Sequence, residues 1–77
     1  MKDLLYALVE DLVDDKDSIK ITQDEPNEKG VIVLHLSVAP DDMGRVIGKQ
    51  GRIAKAIRTI MRAGAARNNL KVAVEID

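Results

Sequence analysis

Two glycines bracket two polar residues near the middle of the chain, in the stretch Val46-Ile47-Gly48-Lys49-Gln50-Gly51-Arg52-Ile53. Glycine adopts positive φ and has no side chain, so Gly48 and Gly51 allow a ligand to approach the main chain closely. Lys49 and Gln50 are then expected to project from the tip of a loop. A helix that begins after Gly51 adds unpaired N–H groups and the positive end of its dipole. This arrangement predicts a site for phosphate groups.

The charges of the chain are strongly segregated, although the net charge is only −1. Residues 1 to 42 contain eleven acids and four bases, whereas residues 43 to 77 contain two acids and eight bases. No acid occurs between Met43 and Val74. The bases of this half are Arg45, Lys49, Arg52, Lys55, Arg58, Arg62, Arg67 and Lys71. A solvated helix face usually mixes both signs, so this run indicates a surface for an anionic partner such as a nucleic acid.

Length and composition predict one small globular domain over residues 1–77. The 77 residues are 45% hydrophobic and 32% charged, and a chain of this size buries only roughly 60% of its unfolded surface. No apolar run approaches the roughly 18 residues of a membrane span, and the first residues lack the pattern of a signal peptide. A cytoplasmic location is therefore expected. The absence of cysteine excludes disulfides, thiol nucleophiles and cysteine metal sites.

The elements before the glycine loop are predicted from their apolar periodicity. A helical period from Lys2 to about Asp15 indicates an amphipathic helix with a structural role, whose acidic end is expected to fray. Alternating residues then predict a short strand over 18–23 and a longer one over 31–39. The polar segment 24–30 contains both a proline and a glycine, which indicates a turn that joins the two strands into a hairpin.

Two further helices flank the glycine loop. Asp41 or Asp42 is expected to cap a helix of one or two turns that reaches Ile47. The helical period returns from Arg52, and a last strand is predicted over 70–76. The apolar face of the long helix is predicted to contain Ile53, Ala56, Ile57, Ile60, Met61 and Gly64, with Lys55, Arg58 and Arg62 on the opposite face. The same helix is therefore expected to contribute both to the core and to the basic surface.

The predicted order is helix, strand, strand, short helix, glycine loop, helix, strand. An α+β fold with one three-stranded sheet, covered on one face by three helices, buries every apolar face. This order resembles the type II KH domain in its minimal form, and the resemblance covers the whole chain. More narrowly, the chain resembles the small stand-alone KH proteins of bacteria, the KhpA family, in the motif Asp42-Met43-Gly44-Arg45-Val46-Ile47-Gly48-Lys49-Gln50-Gly51-Arg52 followed by Ala56-Ile57-Arg58.

The resemblance implies a protein that binds single-stranded RNA, with the glycine loop clamping the backbone of about four nucleotides. Lys49, Arg52 and Arg45 would neutralise phosphates, and the bases would lie against Val46, Ile47 and Ile53, unless these three belong to the core. The predicted RNA-binding residues are Gly48, Lys49, Gln50, Gly51, Arg52, Arg45, Val46, Ile47, Ile53 and Lys55. With no Phe or Trp and one Tyr, strong base stacking is not expected.

The family also implies partners. Its members are understood to self-associate and to pair with a larger KH protein, KhpB, as RNA chaperones or post-transcriptional regulators, in some bacteria linked to cell-wall homeostasis and cell length. From the residues alone, Ala54, Met61 and Ala65 form a flank of the long helix that serves either as a homodimer surface or as packing against the first helix. No cofactor, metal ion or small-molecule substrate is expected.

Three other functional classes share parts of this sequence pattern. A helix-turn-helix DNA-binding domain also has a glycine turn before a basic helix, but it does not need three strands. A protein-protein interaction module would not need to keep the glycines and Lys49. An enzyme is disfavoured, because the sole histidine, His35, lies on a predicted strand without a second ligand in view, and Ser18 and Ser37 have no evident base.

Overall fold

The computed structural model describes residues 1–77 as three helices and three strands in the predicted order. They are α1 (Lys2–Glu10), β1 (Lys20–Gln23), β2 (Val31–Ser37), α2 (Met43–Ile47), α3 (Arg52–Arg67) and β3 (Lys71–Ile76). Short 3₁₀ turns occupy Lys16–Ser18, Pro40–Asp42 and Lys49–Gly51. No helix combines the length and apolar character needed to cross a bilayer.

The three strands form one mixed sheet with β2 in the centre. β1 pairs with β2 in antiparallel register, with Ile21 opposite Leu36. β3 pairs with β2 in parallel register, with Leu34 opposite Val74. Parallel neighbours require a crossover connection, and here that connection consists of α2, the glycine loop and α3. The crossover therefore holds the glycine loop outside the sheet.

The core lies on one face of the sheet, as the alternation of apolar residues predicted. Along β2, buried and half-buried residues alternate without interruption. The cluster between the sheet and the three helices consists of Leu5, Val9, Val13, Ile32, Leu34, Leu36, Val38, Val46, Ile57, Met61, Ala65, Val72 and Val74. The α+β class, the three-stranded sheet and the helices on one face are thus confirmed.

The buried face of α3 differs from the predicted one. Ala56 and Ile60 are exposed, and Ile60 retains 45% of its accessible surface. The buried residues of this helix are Ala54, Ile57, Met61 and Ala65. Small alanine side chains let a helix approach its neighbours closely, which a ranking of residues by hydrophobicity does not reveal. Ala54, Met61 and Ala65 therefore belong to the domain's own interior, so of the two alternatives for this flank the structure shows packing within the domain.

Helix α1 is shorter than predicted because its last expected turn has another partner. The helix ends at Glu10, whereas the sequence pattern continued to about Asp15. The main-chain N–H groups of Asp14 and Asp15 each donate to the carboxylate of Asp42, at 3.1 Å. A segment whose N–H groups point to a distant side chain cannot continue the helical ladder. The crowded acids at this end also disfavour a longer helix.

The carboxylate of Asp42 is buried, with 3% of the residue exposed. It makes no capping hydrogen bond to α2. The main-chain N–H groups of Asp15 and Asp14 hold its pKa below the ordinary value, and the charge of Arg45 acts in the same direction. Asp42 thereby joins the segment after α1 to the start of α2.

We expect Asp42→Asn to lower the melting temperature by several degrees. The two N–H groups donate to different oxygens of the carboxylate, and asparagine would place an NH2 donor against one of them. The lowered pKa means that this stabilisation is present above about pH 4 and is lost as the pH falls through the folded-state value. When the free energy of unfolding is measured with urea at neutral and at acidic pH, it should therefore decrease less on acidification in Asp42→Asn than in the wild type. Equal pH dependence in both proteins would contradict this role.

Candidate nucleic-acid interface

The glycine loop is a tight turn held by main-chain hydrogen bonds. The N–H of Gly48 donates to the Gly44 carbonyl at 2.8 Å, and the N–H of Gly51 donates to the Gly48 carbonyl at 3.2 Å. Gly48, Gln50 and Gly51 all have positive φ, at 75°, 57° and 74°. Gln50 thus adopts a conformation that is uncommon for a residue with a side chain. The turn presents Lys49 and Gln50 as exposed side chains.

The two glycines serve different purposes. A Cβ at Gly48 would lie 2.6 Å from Cγ1 and 2.8 Å from Cβ of Ile53. Gly48 is therefore required for packing within the domain, and its ψ of 174° also places it in a region reserved almost entirely for glycine. A Cβ at Gly51 would meet no atom within 4 Å. Only Gly51 leaves space beside the main chain for a ligand.

The surface next to the loop is positive and lacks internal partners. Lys49, Arg52 and Lys55 are exposed, and none of them pairs with a carboxylate. The N-terminus of α3 begins after Gly51 without a side-chain cap. The partial positive charge of a helix N-terminus adds to these side chains. Loop, helix end and basic residues together form a surface suited to phosphate groups.

Arg45 differs from the other predicted basic residues because it already has acidic partners. Its guanidinium lies 2.7 Å from the carboxylate of Asp14 and 3.8 Å from that of Asp42. It is the only one of the eight bases in residues 43–77 that pairs with a carboxylate. A phosphate contact by Arg45 would have to compete with this pairing.

The three apolar residues of the predicted groove are separated by their burial. Val46 is fully buried in the core, so its predicted role as part of the groove floor is wrong. Ile53 is half-buried, packs against the core and lies under Gly48. Ile47 retains 39% of its surface and is the most accessible of the three. In the five-residue helix α2, Val46 is the one buried residue, and its apolar side chain packs into the core.

A cleft of about 380 Å³ lies between α3 and β3, lined by Arg58, Arg62, Val72, Ala73 and Val74. The Nε–H of Arg58 donates to the Val74 carbonyl at 3.1 Å, whereas that of Arg62 donates to the carbonyl of Arg58 in its own helix, at 3.4 Å. Arg58 follows the start of α3 by six residues, or about 9 Å along its axis. The sequence indicated these two arginines only as a basic helix face.

One edge of β3 has no neighbouring strand. Asp77, directly after β3, donates its N–H to the Leu36 carbonyl of β2 at 2.9 Å. Main-chain groups of successive residues alternate between the two sides of a strand. Because Val72 and Val74 are separated from Asp77 by an odd number of positions, their N–H and C=O groups point away from β2. They are directed to the free edge of β3, beside the cleft. The hydrogen bond from Arg58 to Val74 agrees with this direction.

His35 lies on the face of the sheet opposite the core. It has acidic neighbours there that the sequence did not reveal. Its Nε2 lies 2.9 Å from the carboxylate of Asp24, and its Nδ1 lies 3.4 Å from that of Glu75. One ring nitrogen of His35 and one carboxylate oxygen each of Glu75 and Asp77 lie within 4.8 Å of one another. The hydrogen bond to Asp24 raises the pKa of His35 above its usual 6.5, against the opposing effect of burial, and the surrounding carboxylates add to the increase.

We expect His35 to stabilise the fold at acidic pH. Because its folded-state pKa is raised, its contribution is complete below about pH 6.5 and is lost as the pH rises through the folded-state value. An NMR titration of the ring protons should give a midpoint above the ordinary value. Urea unfolding at about pH 5.5 and about pH 8.5 should differ less in His35→Gln than in the wild type; an unchanged difference would contradict the ion-pair role.

The sequence is similar to those of known proteins. Residues 2–76 match the model of the family described as KhpA/KhpB, KH domain. The chain belongs to this family. Relatives named RNA-binding protein KhpA include those of Clostridium acetobutylicum, 51% identical over 76 residues with 99% of both chains covered, and Clostridium perfringens, 49% identical with the same coverage. The KhpA of Listeria monocytogenes is 46% identical, over 99% of this chain and 97% of its own.

The residues that match the KhpA/KhpB family span the whole fold, including the glycine loop and β3. The resemblance inferred from the motif is thereby confirmed, and the helix-turn-helix interpretation is not supported. The relatives carry RNA binding in their names.

Proposed function

We propose that this protein binds single-stranded RNA through the loop Gly48–Gly51 and the adjoining surfaces of α3 and β3, and acts as an RNA chaperone or post-transcriptional regulator. The observation that carries the proposal is the open main chain at Gly51, at the uncapped N-terminus of α3 and beside basic side chains without acidic partners. The names of the KhpA relatives support the same class of ligand.

The phosphates of the bound strand contact the loop. Lys49 and Gln50 project from its tip, and the main chain at Gly51 is accessible to a phosphate oxygen. Arg52 and Lys55 follow on α3 and neutralise further charge. These contacts position the backbone without reading the sequence, and each neutralised phosphate makes the binding of a single strand more sensitive to salt.

The bases lie between α3 and β3. Ile47 and the accessible part of Ile53 provide apolar contact near the loop. Further along, the cleft opens onto the free edge of β3, where main-chain N–H and C=O groups reach the edges of unpaired bases. Unstacked bases of single strands are accessible to this kind of contact, whereas those of an A-form duplex are not. The groove therefore suits single-stranded RNA.

A single site of this size, without an aromatic platform, is expected to bind weakly. We further propose that a second RNA-binding site is added by self-association or by a larger KH protein of the KhpB type. Linked sites increase the overall affinity for the RNA. Sedimentation analysis of the protein alone and with such a partner tests this part. The large apolar side chains exposed to a partner are Tyr6, Ile47, Ile60 and Leu70.

The proposed function is tested by NMR titration of the labelled protein with pools of short single-stranded RNA and DNA at two salt concentrations. We expect the amide signals of Gly48 to Ile53 and of Val72 to Val74 to move, with weaker binding at the higher salt. Comparison of the RNA and DNA pools measures the contribution of the 2′-hydroxyl. Double-stranded RNA of the same composition is the control.

Two outcomes would contradict the proposal. One is the absence of shifts in the loop and β3 at saturating RNA. The other is a set of shifts confined to the end of α3 near Arg67, which would indicate nonspecific charge attraction. In either case a protein partner becomes the better hypothesis for the function of the loop surface.

A further inference from the structure

We propose that the face of the sheet opposite the core carries a binding site for a divalent transition-metal ion of the Zn²⁺ type, with His35, Glu75 and Asp77 as its ligands. The sequence predicted no metal ion, because no second ligand for the sole histidine was in view. The pairing of the strands supplies these ligands. The site lies on the side of the sheet away from the helices and does not depend on the proposed RNA binding.

The register of the sheet brings three acidic side chains to the same face as His35. His35 lies opposite Thr22 of β1 and opposite Glu75 of β3. Asp24 follows Thr22 by two positions, and Asp77 follows Glu75 by two positions. Side chains two positions apart point to the same face of a strand. The central strand therefore contributes the imidazole, and its two neighbours contribute carboxylates on either side.

The imidazole of His35 is held in one orientation by Asp24. Its Nε2 lies 2.9 Å from Oδ2 of Asp24, so the neutral ring donates its Nε2–H to this carboxylate. The other nitrogen, Nδ1, then has a free lone pair. A histidine that binds a metal ion almost always donates its second ring N–H to a carboxylate, a carbonyl or water in this way. Asp24 is therefore a positioning residue, and Nδ1 is the ligand atom.

The lone pair of Nδ1 faces a second acceptor, the carboxylate of Glu75. Nδ1 lies 3.4 Å from Oε2 of Glu75, and two acceptors at this distance attract each other only when a proton or a metal ion lies between them. In a tetrahedral zinc site with bonds of about 2.0–2.1 Å, neighbouring ligand atoms are about 3.3–3.4 Å apart. The nitrogen and the oxygen thus already have the spacing of two zinc ligands.

Asp77 completes the set of protein ligands. One of its carboxylate oxygens lies within 4.8 Å of the ligand atoms of His35 and Glu75. This distance exceeds the spacing of tetrahedral ligands by at most about 1.4 Å. The side chain of Asp77 is exposed, so rotation about its side-chain bonds can close the gap. Three protein ligands leave the fourth position of a tetrahedral ion to water.

The charges of this group also favour a cation. No lysine or arginine pairs with the carboxylates of Asp24, Glu75 or Asp77. Three carboxylates beside one imidazole leave an excess of negative charge, which a divalent ion offsets. Zn²⁺ and its neighbours accept imidazole nitrogen together with carboxylate oxygen, whereas Mg²⁺ and Ca²⁺ prefer oxygen ligands alone. The mixed set therefore favours a transition-metal ion.

The test is an NMR titration of the labelled protein with ZnCl₂, with MgCl₂ at the same concentrations as the control. We expect saturable binding of one Zn²⁺ per chain, with the ring signals of His35 moving together with the amide signals of Glu75 and Asp77. Long-range ¹H–¹⁵N spectra of the ring should show a metal-bound Nδ1 and a protonated Nε2. Mg²⁺ should move these signals little, and EDTA should reverse the effect of Zn²⁺.

Three variants separate the site from general charge attraction. His35→Gln and Glu75→Gln each remove one ligand, whereas Glu28→Gln removes an exposed carboxylate of the hairpin loop. We expect the first two to weaken Zn²⁺ binding by at least about 10-fold, since loss of even a hydrogen-bond partner of a metal ligand typically costs 10- to 100-fold. Glu28→Gln should bind as the wild type does. Amide spectra without zinc verify that all three are folded.

A melting experiment provides an independent readout, because an ion that binds only the folded state raises the melting temperature. Zn²⁺ should stabilise the wild type and Glu28→Gln, and His35→Gln much less. Equal weakening of Zn²⁺ binding in Glu75→Gln and Glu28→Gln would overturn the site, as would coordination of the ion through Nε2. Failure to bind Zn²⁺ would also overturn it and would leave the proposed RNA binding intact, since the two are measured separately.

Discussion

Replacement of Lys49 and Gln50 together by aspartate is expected to weaken RNA binding on the order of 10- to 100-fold at low salt, because two negative charges then face the phosphates. Both side chains are exposed and make no hydrogen bond within the protein. Aspartate also tolerates the positive φ of 57° found at Gln50. The variant should therefore fold normally, which its melting curve and amide spectrum will verify.

A matched control for this charge reversal is available in the hairpin loop. Lys29→Asp changes the net charge by the same amount as the single variant Lys49→Asp. Lys29 is exposed before β2, whereas the glycine loop follows the opposite end of that strand through α2. We expect Lys49→Asp to weaken binding strongly and Lys29→Asp only slightly. Equal effects would mean that overall charge, and not the loop, is responsible for RNA binding.

Substitution of Gly48 by alanine should destabilise the domain far more than the same change at Gly51. A Cβ at Gly48 would approach Ile53 to 2.6 Å, and the backbone there has φ 75° and ψ 174°. Strain and overpacking together predict a loss of about 3 kcal/mol or more in the free energy of unfolding. At Gly51, where the added methyl group meets open space, only the left-handed conformation is unfavourable, by about 1–2 kcal/mol.

Urea unfolding of Gly48→Ala, Gly51→Ala and the wild type measures this difference directly. RNA binding adds a second comparison. Gly51→Ala places a methyl group beside the main chain that we expect phosphate to contact, so it should reduce affinity in a protein that remains folded. Similar losses of stability at the two glycines would contradict the packing role of Gly48. Unchanged affinity in Gly51→Ala would contradict the close approach of the RNA backbone.

The order of the elements was predictable because it depends on local patterns. Alternation along β2 and β3 assigned the inward-facing residues correctly, since the period of a strand leaves only two faces. Gly48 and Gly51 marked the turn because few residues other than glycine adopt positive φ readily. The charge difference between the two halves of the chain was equally visible, and it predicted which half would carry the basic surface.

The limits of helical faces were harder to predict. In α3, Ile60 was predicted to be buried and is exposed, whereas Ala54 and Ala65 are buried. Neighbouring stripes on a helix differ by a single residue step, and alanine gives little signal in favour of either. Which stripe is buried depends on how closely the helix approaches the sheet and α1. That distance is a property of the assembled core.

The amino-acid sequence by itself determined the fold class, the position of the glycine loop and the basic character of its surroundings, because each follows from residues close together in the chain. The tertiary structure alone decided the partners of individual side chains. Asp42 accepts from Asp14, 28 residues away, and Arg58 donates to Val74, 16 residues away. Such contacts form only when separate elements pack together, so no local pattern records them.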